Sequence, residues 1–303
     1  MRIGIDLGGT KIEGIALDDH GQTRTRQRIP APRGDYDASV RAIASLVGAI
    51  ERDLAVTATV GVGIPGTISP ATGLVKNSNS TWMNGTTLAV DLPQALGRPV
   101  RFANDANCFA LSEATDGAGA GASTVFGVIV GTGTGGGIVV HGRVVVGGNA
   151  IAGEWGHNSL PWPRAGETPG VACYCGRSGC IETFLSGPGL SRDYVSSAGT
   201  SATPEEIVAA ATRGELNASV CLDRYEDRFA RALASVINVV DPDVIVLGGG
   251  LSNIDRFYNT IPPKLAAYVF SDVVATRVVR AVHGDSSGVR GAAWLWATED
   301  ARA

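Results

Sequence analysis

The sequence predicts an α/β protein made of two similar units with a cleft between them, and three observations carry that prediction. A strand, a glycine turn and a second strand open the chain at 3–17 and recur at 124–140, an offset of about 124 residues. Strands alternate with helical patterns in both halves, as expected of sheets covered by helices. Of the 303 residues, 44% are hydrophobic and 18% charged, so the chain can bury a substantial core and is not disordered.

In order, 3–7, 12–17 and 23–29 read as three short strands, with an Asp18-Asp19-His20-Gly21 turn before the last. Val40, Ile43, Ala44, Leu46, Val47 and Ile50 place an amphipathic helix over 37–53. A buried strand, 60–64, ends at Pro65-Gly66. Residues 66–87 read as irregular hairpins or loops, 100–103 as a strand and 105–113 as a helix, giving the order βββαβαβα. In the second half, 124–130, 138–140 and 144–146 are strands around the glycine turn 131–137. Helical patterns cover 184–195, 204–213 and 220–240. A strand at 244–247 leads into Gly248-Gly249-Gly250, followed by helices at 253–268 and from 288 to about 298. The expected domains are 1–117, joined by the last helix at 288–303, and 118–287 with a metal-binding loop.

A formal net charge of −4 gives no electrostatic ground for binding nucleic acid or an anionic membrane. No apolar run reaches the ~18 residues of a spanning helix. The N-terminus reads as a strand, not a secretory signal, so the cytoplasm is the expected compartment. Glycine numbers 41, nearly double the ~7% average, with dense patches at 131–153, 4–14, 61–66 and 248–250, the turns expected to face ligand. The five cysteines are odd in number, and Cys173, Cys175 and Cys180 are clustered, which argues for metal or free thiol over disulfides.

Two strings match G-x-G-x-x-G, at 61–66 and 131–136, but neither opens a helix, so a dinucleotide fingerprint fails at both. Asp6-Leu7-Gly8-Gly9-Thr10-Lys11 and Gly131-Thr132-Gly133-Thr134-Gly135-Gly136-Gly137 remain as tight turns between strands. Each is either an ordinary glycine hairpin or a nest of backbone N–H groups for an anion. Their matching places in matching units favour a polyphosphate held across the cleft. Gly248-Gly249-Gly250 would let an adenine or ribose approach the backbone.

Asn104-Asp105 stands where a strand ends and a helix begins. Its carboxylate is either a general base for an attacking hydroxyl or part of a helix cap. His157, Cys173, Cys175 and Cys180 make an N/S set suited to a closed, structural zinc site. Glu154 and Glu182, three residues before and two after a ligand, would be held rigidly as acceptors for a polyol. The 158–172 stretch should be a surface loop, a lid or a dimer contact.

With Asp6-x-Gly8-Gly9-Thr10-Lys11, Gly131-Thr132-Gly133-Thr134-Gly135, Glu154-x-Gly156-His157 and Cys173-x-Cys175-Gly176-x-x-Gly179-Cys180-x-Glu182, the whole chain resembles the ROK family of sugar kinases and sugar-responsive repressors. The resemblance implies two ribonuclease-H-like domains of the actin/hexokinase type with an interdomain cleft. It implies ATP and Mg²⁺ at Gly4, Asp6, Gly8, Gly9, Thr10, Lys11, Gly131, Thr132, Gly133, Thr134, Gly135, Gly249 and Gly250. Asp105 is then the catalytic base, with Asn79, Asn104, Asp105, Glu154, His157 and Glu182 on the sugar. Zn²⁺ sits on His157, Cys173, Cys175 and Cys180.

The strings 75–82, 103–108, 154–162 and 283–288 are most similar to bacterial fructokinases and mannofructokinases of that family. The expected reaction is therefore ATP-dependent phosphorylation of fructose or mannose at the 6-hydroxyl. Glucokinase and N-acetylglucosamine kinase share all the motifs and are the alternative. A non-catalytic sensor is disfavoured because Asp105 and Lys11 are present. A repressor is disfavoured because the first motif begins at Asp6, leaving no room for a helix-turn-helix. Apolar faces on helices near 217–240 and 253–268, together with the resemblance, suggest a homodimer.

Overall fold

The structure, a computed structural model, describes residues 1–296. The chain forms two compact units. One comprises Met1–Gly121, Gly137–Ala152 and the stretch from Val282, and the other Ala122–Gly136 with Gly153–Ala281. The expected boundaries lay at 117/118 and 287/288, whereas the compact units change over at 121/122 and 281/282 and the first also takes in 137–152.

In the first half, β1 (Arg2–Leu7), β2 (Lys11–Leu17), β3 (Thr23–Pro30), β4 (Thr59–Ile64) and β7 (Val100–Asn104) form a sheet of order β3-β2-β1-β4-β7. β1 runs antiparallel to β2, β2 to β3, and β1, β4 and β7 are mutually parallel along the sheet. α1 (Tyr36–Leu54) starts at Asp35, whose side chain accepts the Ala38 N–H, and buries Val40, Ile43, Leu46, Val47 and Ile50. Between β4 and β7 lie a two-residue hairpin, β5 (Thr67–Ile68) with β6 (Val75–Lys76), and α2 (Leu88–Leu96), the middle helix of the expected order. α3 (Asp105–Asp116) follows β7 directly.

The second sheet has the order β10-β9-β8-β11-β12, built from β8 (Thr124–Val130), β9 (Thr134–Val140), β10 (Arg143–Val144), β11 (Val244–Gly248) and β12 (Arg277–Arg280). β8, β11 and β12 are parallel, and β10 is antiparallel to β9, so strand order and these directions repeat those of the first sheet. β9 starts inside the glycine run, earlier than expected, and β12 has no counterpart in the sequence prediction. α4 (Ile181–Leu185), α5 (Gly187–Ala198), α6 (Pro204–Thr212), α7 (Leu216–Val240) and α8 (Phe257–Leu265) complete that part of the chain.

The apolar faces of α7 and α8 are spent on each other. Tyr225 stacks on Phe257 at 5.2 Å between ring centroids, and Phe229 meets the same ring edge-on. These aromatic residues are core, while Leu216, Val220 and Val239 of α7 remain exposed.

α9 (Ser287–Trp294) returns to the first sheet, while the 297–303 part of the expected last helix lies outside the described residues. Its fit explains three glycines. A Cβ on Gly4 would lie 2.0 Å from Val289 O, one on Gly61 1.9 Å from Ala292 O, and one on Gly291 1.6 Å from Cys108 O of α3. The helix backbone therefore lies flush on β1, β4 and α3, closer than any side chain permits. Val289, Ala293 and Trp294 pack with Ile15 and Leu17 of β2. Among the described residues, no helix is long and apolar enough to cross a membrane.

Candidate active site

In the first unit the carboxylates gather at the C-terminal ends of parallel strands, where open α/β sheets bind ligands. Asp6 of β1 pairs with Gly63 of β4, which pairs with Ala103 of β7, and Asp105 is the second residue beyond. Asn104 stands at the N-cap of α3, its Oδ1 accepting from Ala106 N at 2.9 Å and Asn107 N at 3.3 Å, while its Nδ2 donates to Gly66 O at 3.2 Å. Asp105 Oδ1 also accepts from the Ala106 N–H at 2.8 Å. The Asn104 amide is thus engaged with backbone at both ends and also hydrogen-bonds the Asp105 carboxyl.

Asp105 reaches solvent. Protein packed around its carboxyl nevertheless raises its pKa, opposed by hydrogen bonds from the Ala106 N–H and from Asn104. Asp6 is pushed up to about 6 by burial, then by the neighbouring charges of Asp105 and Glu13, against the lowering effect of Lys11 and Arg28. The Cys108 thiol beneath them, whose Sγ would lie 3.2 Å from a Gly63 Cβ, is raised by burial and by both carboxylates, and stays neutral.

The first glycine turn closes with Gly8 N–H on Lys11 O at 3.0 Å and presents Thr10 and Lys11 to solvent. Gly9 faces Ser80, and Asn79 is exposed between the buried Ser78 and Ser80. Gly4 is corrected: it is buried under α9 and presents nothing to a nucleotide.

In the second unit, Gly131 N–H donates to Gly133 O at 2.9 Å to close the other turn. Gly131, Thr132, Gly187, Thr203, Glu206 and Gly250 are among the residues lining a pocket of about 620 Å³. The N-termini of α5 and α6 border it, capped by Ser186 and by a reciprocal Thr203–Glu206 box. Helix N-termini favour anionic groups. In the sequence, the signals that mark these two N-termini are Ser186 before a helical pattern and the Thr203-x-x-Glu206 string. Gly250 opens to free space, whereas Gly249 packs on the Val130 backbone. Thr134 does not line the pocket. It is buried, its N–H donates to Glu182 Oε2 at 2.9 Å, and its hydroxyl has no partner among the described residues.

His157, Cys173, Cys175 and Cys180 offer ligand atoms that all lie within 4.8 Å of one another. Cys173 Sγ is 3.6 Å from His157 Nδ1, and Cys175 Sγ is 3.6 Å from Cys180 Sγ. Zinc–thiolate bonds of ~2.3 Å give tetrahedral edges near ~3.8 Å, so the donor set fits such an ion in spacing and in chemistry. The Cys173 N–H bond to Arg177 O and the Gly176 N–H bond to Cys173 O fold the loop around the thiols. His157 turns its other nitrogen, Nε2, to the Tyr174 hydroxyl at 3.0 Å, and Glu154 is half-buried beside it in sequence.

The 158–172 loop is fastened down. Arg231, 1% exposed, donates to Pro161 O, Trp162 O and both Glu167 oxygens, and Trp162 stacks on Tyr268. Burial would raise Glu167, but Arg231, the Arg164 N–H and Arg228 bring it down to about 2. A loop tied by a buried guanidinium is not a lid.

Comparison with known proteins agrees with this architecture. The model of the ROK family matches residues 2–299. The chain is 41% identical over 299 residues to the N-acetyl-D-glucosamine kinase of Photobacterium profundum, covering 97% of this chain and 99% of that protein. Identity and coverage are the same for the N-acetyl-D-glucosamine kinase of Vibrio cholerae. Among solved structures, the ROK hexokinase of Thermus thermophilus superposes with a TM-score of 0.86 at 30% identity, covering 97% of this chain and 96% of that one. A ROK glucokinase from Streptomyces griseus, in complex with glucose and AMPPNP, gives 0.75 at 26% identity with 99% of each chain covered. The fold is the two-domain, ribonuclease-H-like fold of actin/hexokinase-type proteins, and the chain belongs to the ROK family, on the side of its sugar kinases.

Proposed function

We propose that this protein transfers the γ-phosphoryl group of ATP to the 6-hydroxyl of N-acetyl-D-glucosamine. The observation that carries the reading is the 41% identity, over nearly the whole of both chains, to proteins bearing that name. Fructose or mannose, the expectation from four longer strings, gives way to it. Two of those strings, 103–108 and 154–162, enclose the carboxylate and metal motifs, which kinases for several sugars share. A 2-acetamido group is told from a hydroxyl by the shape of a few pocket side chains, and no motif encodes that shape.

Asp105 acts as general base on the 6-hydroxyl, and its raised pKa suits that task better than an ordinary carboxylate would. Asp6 is the carboxylate that would face Mg²⁺, directly or through water; crowding by Asp105 and Glu13 is a repulsion that a divalent cation relieves. Mg²⁺, were it held there with the nucleotide, would supply neutralisation of phosphate charge for in-line transfer. The turns at 8–11 and 131–133 supply N–H groups to the phosphates, and Lys11 a mobile positive charge. Asn79, Glu154, His157 through Nε2, and Glu182 are the sugar ligands in this reading. Zn²⁺ on His157 Nδ1 and the three thiolates holds their loop in shape, and the chain works as a homodimer.

A coupled ADP-release assay over N-acetylglucosamine, glucose, mannose and fructose tests the reading. The highest kcat/KM is expected for N-acetylglucosamine. A preference for any of the other three would sink it.

A further inference from the structure

The turn that opens the nucleotide pocket of the second unit is held by groups from the metal-binding region. Gly187 N–H donates to Gly131 O at 2.7 Å, and Trp155 Nε1–H to Gly135 O at 3.0 Å. Thr134 N–H donates to Glu182 Oε2 at 2.9 Å. Glu182 stands in the first turn of α4, two residues after the metal ligand Cys180. It does not line the pocket that Gly131 and Thr132 border, so it grips the turn from outside that pocket. The fit is close, since a Cβ on Gly133 would lie 2.6 Å from Oε2.

We propose that Glu182 is a positioning residue for the nucleotide loop as well as a sugar ligand, one carboxylate serving both substrates. The proposal rests on the nucleotide and sugar roles given above. Oε2 holds the Thr134 N–H in a charge-assisted bond and so fixes the run of amides from Gly131 onward. Among the described residues Oε1 makes no hydrogen bond, and it is the oxygen left for a sugar hydroxyl. A nest of amides binds an anion only while its N–H groups point at one place, and Gly131 N–H already closes the turn on Gly133 O, so a loop loosened at Thr134 loses affinity at the Thr132 amide.

The test is ADP affinity in the presence of Mg²⁺ and the absence of sugar, measured by calorimetry. Glu182→Ala is expected to weaken ADP by about tenfold. Glu182→Gln keeps an amide oxygen that accepts the Thr134 N–H, and is expected to bind ADP within about twofold of the unchanged protein. Gly133→Ala approaches the same contact from the other side. It should weaken ADP when Glu182 is present, yet add less than about twofold in a Glu182→Ala background, where the methyl has room. Melting temperatures of all variants separate this effect from misfolding.

A Glu182→Ala protein that binds ADP as tightly as the unchanged one overturns the proposal, as do fully additive losses in the double variant. A residue serving only the sugar would shift the sugar KM in both Ala and Gln variants and leave ADP untouched. Failure of the unchanged protein to bind ADP would remove the nucleotide reading and this proposal with it.

Discussion

The two sheets share strand order and yet carry different chemistry at their matching ends. β1 brings Asp6 to its C-terminal end and β7 is followed by Asp105, whereas β8 ends in Ile129-Val130 and β12 is followed by Ala281. The turn after β1 is charged, with Lys11, and the turn after β8 is neutral. The second half also carries a cluster of thiols and a pocket bounded by helix N-termini. In the proposed function, one copy of the sheet carries proton transfer and the other does the holding. A repeated fold fixes where loops emerge and leaves each loop free to take its own chemistry.

The largest effect expected from this division belongs to the first unit. Asp105→Asn should lower kcat by about 10²- to 10⁴-fold with sugar affinity retained, read by steady-state kinetics beside direct sugar binding. Turnover near that of the unchanged enzyme would remove the base from the first unit and dissolve the contrast.

Next comes the metal cluster of the second. Cys180→Ser, or removal of the ion by a chelator, is expected to weaken sugar binding by about 10- to 100-fold and to lower the melting temperature, with metal content followed by atomic emission. Equimolar zinc in the purified protein is the accompanying expectation, and its absence would count against the site.

The smallest effect sharpens the comparison through pH. Asp6 has a folded pKa of about 6 against an ordinary 3.8, so its contribution is fully present below the lower value and is lost as pH rises through the higher one. Asp6→Asn should therefore match the unchanged protein at pH 3.5 and exceed its stability at pH 8 by on the order of 1–3 kcal/mol in chemical denaturation. No neutral residue at the matching end of β8 should show such a crossover.

Much of this was legible because the chemistry is local in sequence. Asp6 lies within five residues of Lys11, and three thiols fall between 173 and 180, so spacing drew attention to the two glycine turns and to the four donors that the structure brings together. What escaped depends on partners far along the chain. Gly4 and Gly61 look like ligand glycines until α9, more than two hundred residues later, is seen lying on them. Thr134 reads as a phosphate ligand until Glu182 takes its N–H. β12 was hidden because its Val278-Val279 pair is flanked by arginines, giving no alternation to detect. The choice of sugar is not carried by the motifs, which encode the reaction and not the pocket; the named relatives favour N-acetylglucosamine over fructose or mannose.

The seating of α9 also has a consequence for biogenesis. The first unit lacks the helix that covers Gly4, Gly61, Ile15 and Leu17 until the ribosome has passed Trp294, whereas the strands and helices of the second unit are all synthesised by Ala281. During synthesis the inner unit is therefore complete first, and the outer one waits with one face of its sheet uncovered. A premature stop shortly before Ser287 would leave every residue assigned to chemistry in place and still deprive the catalytic half of its last layer.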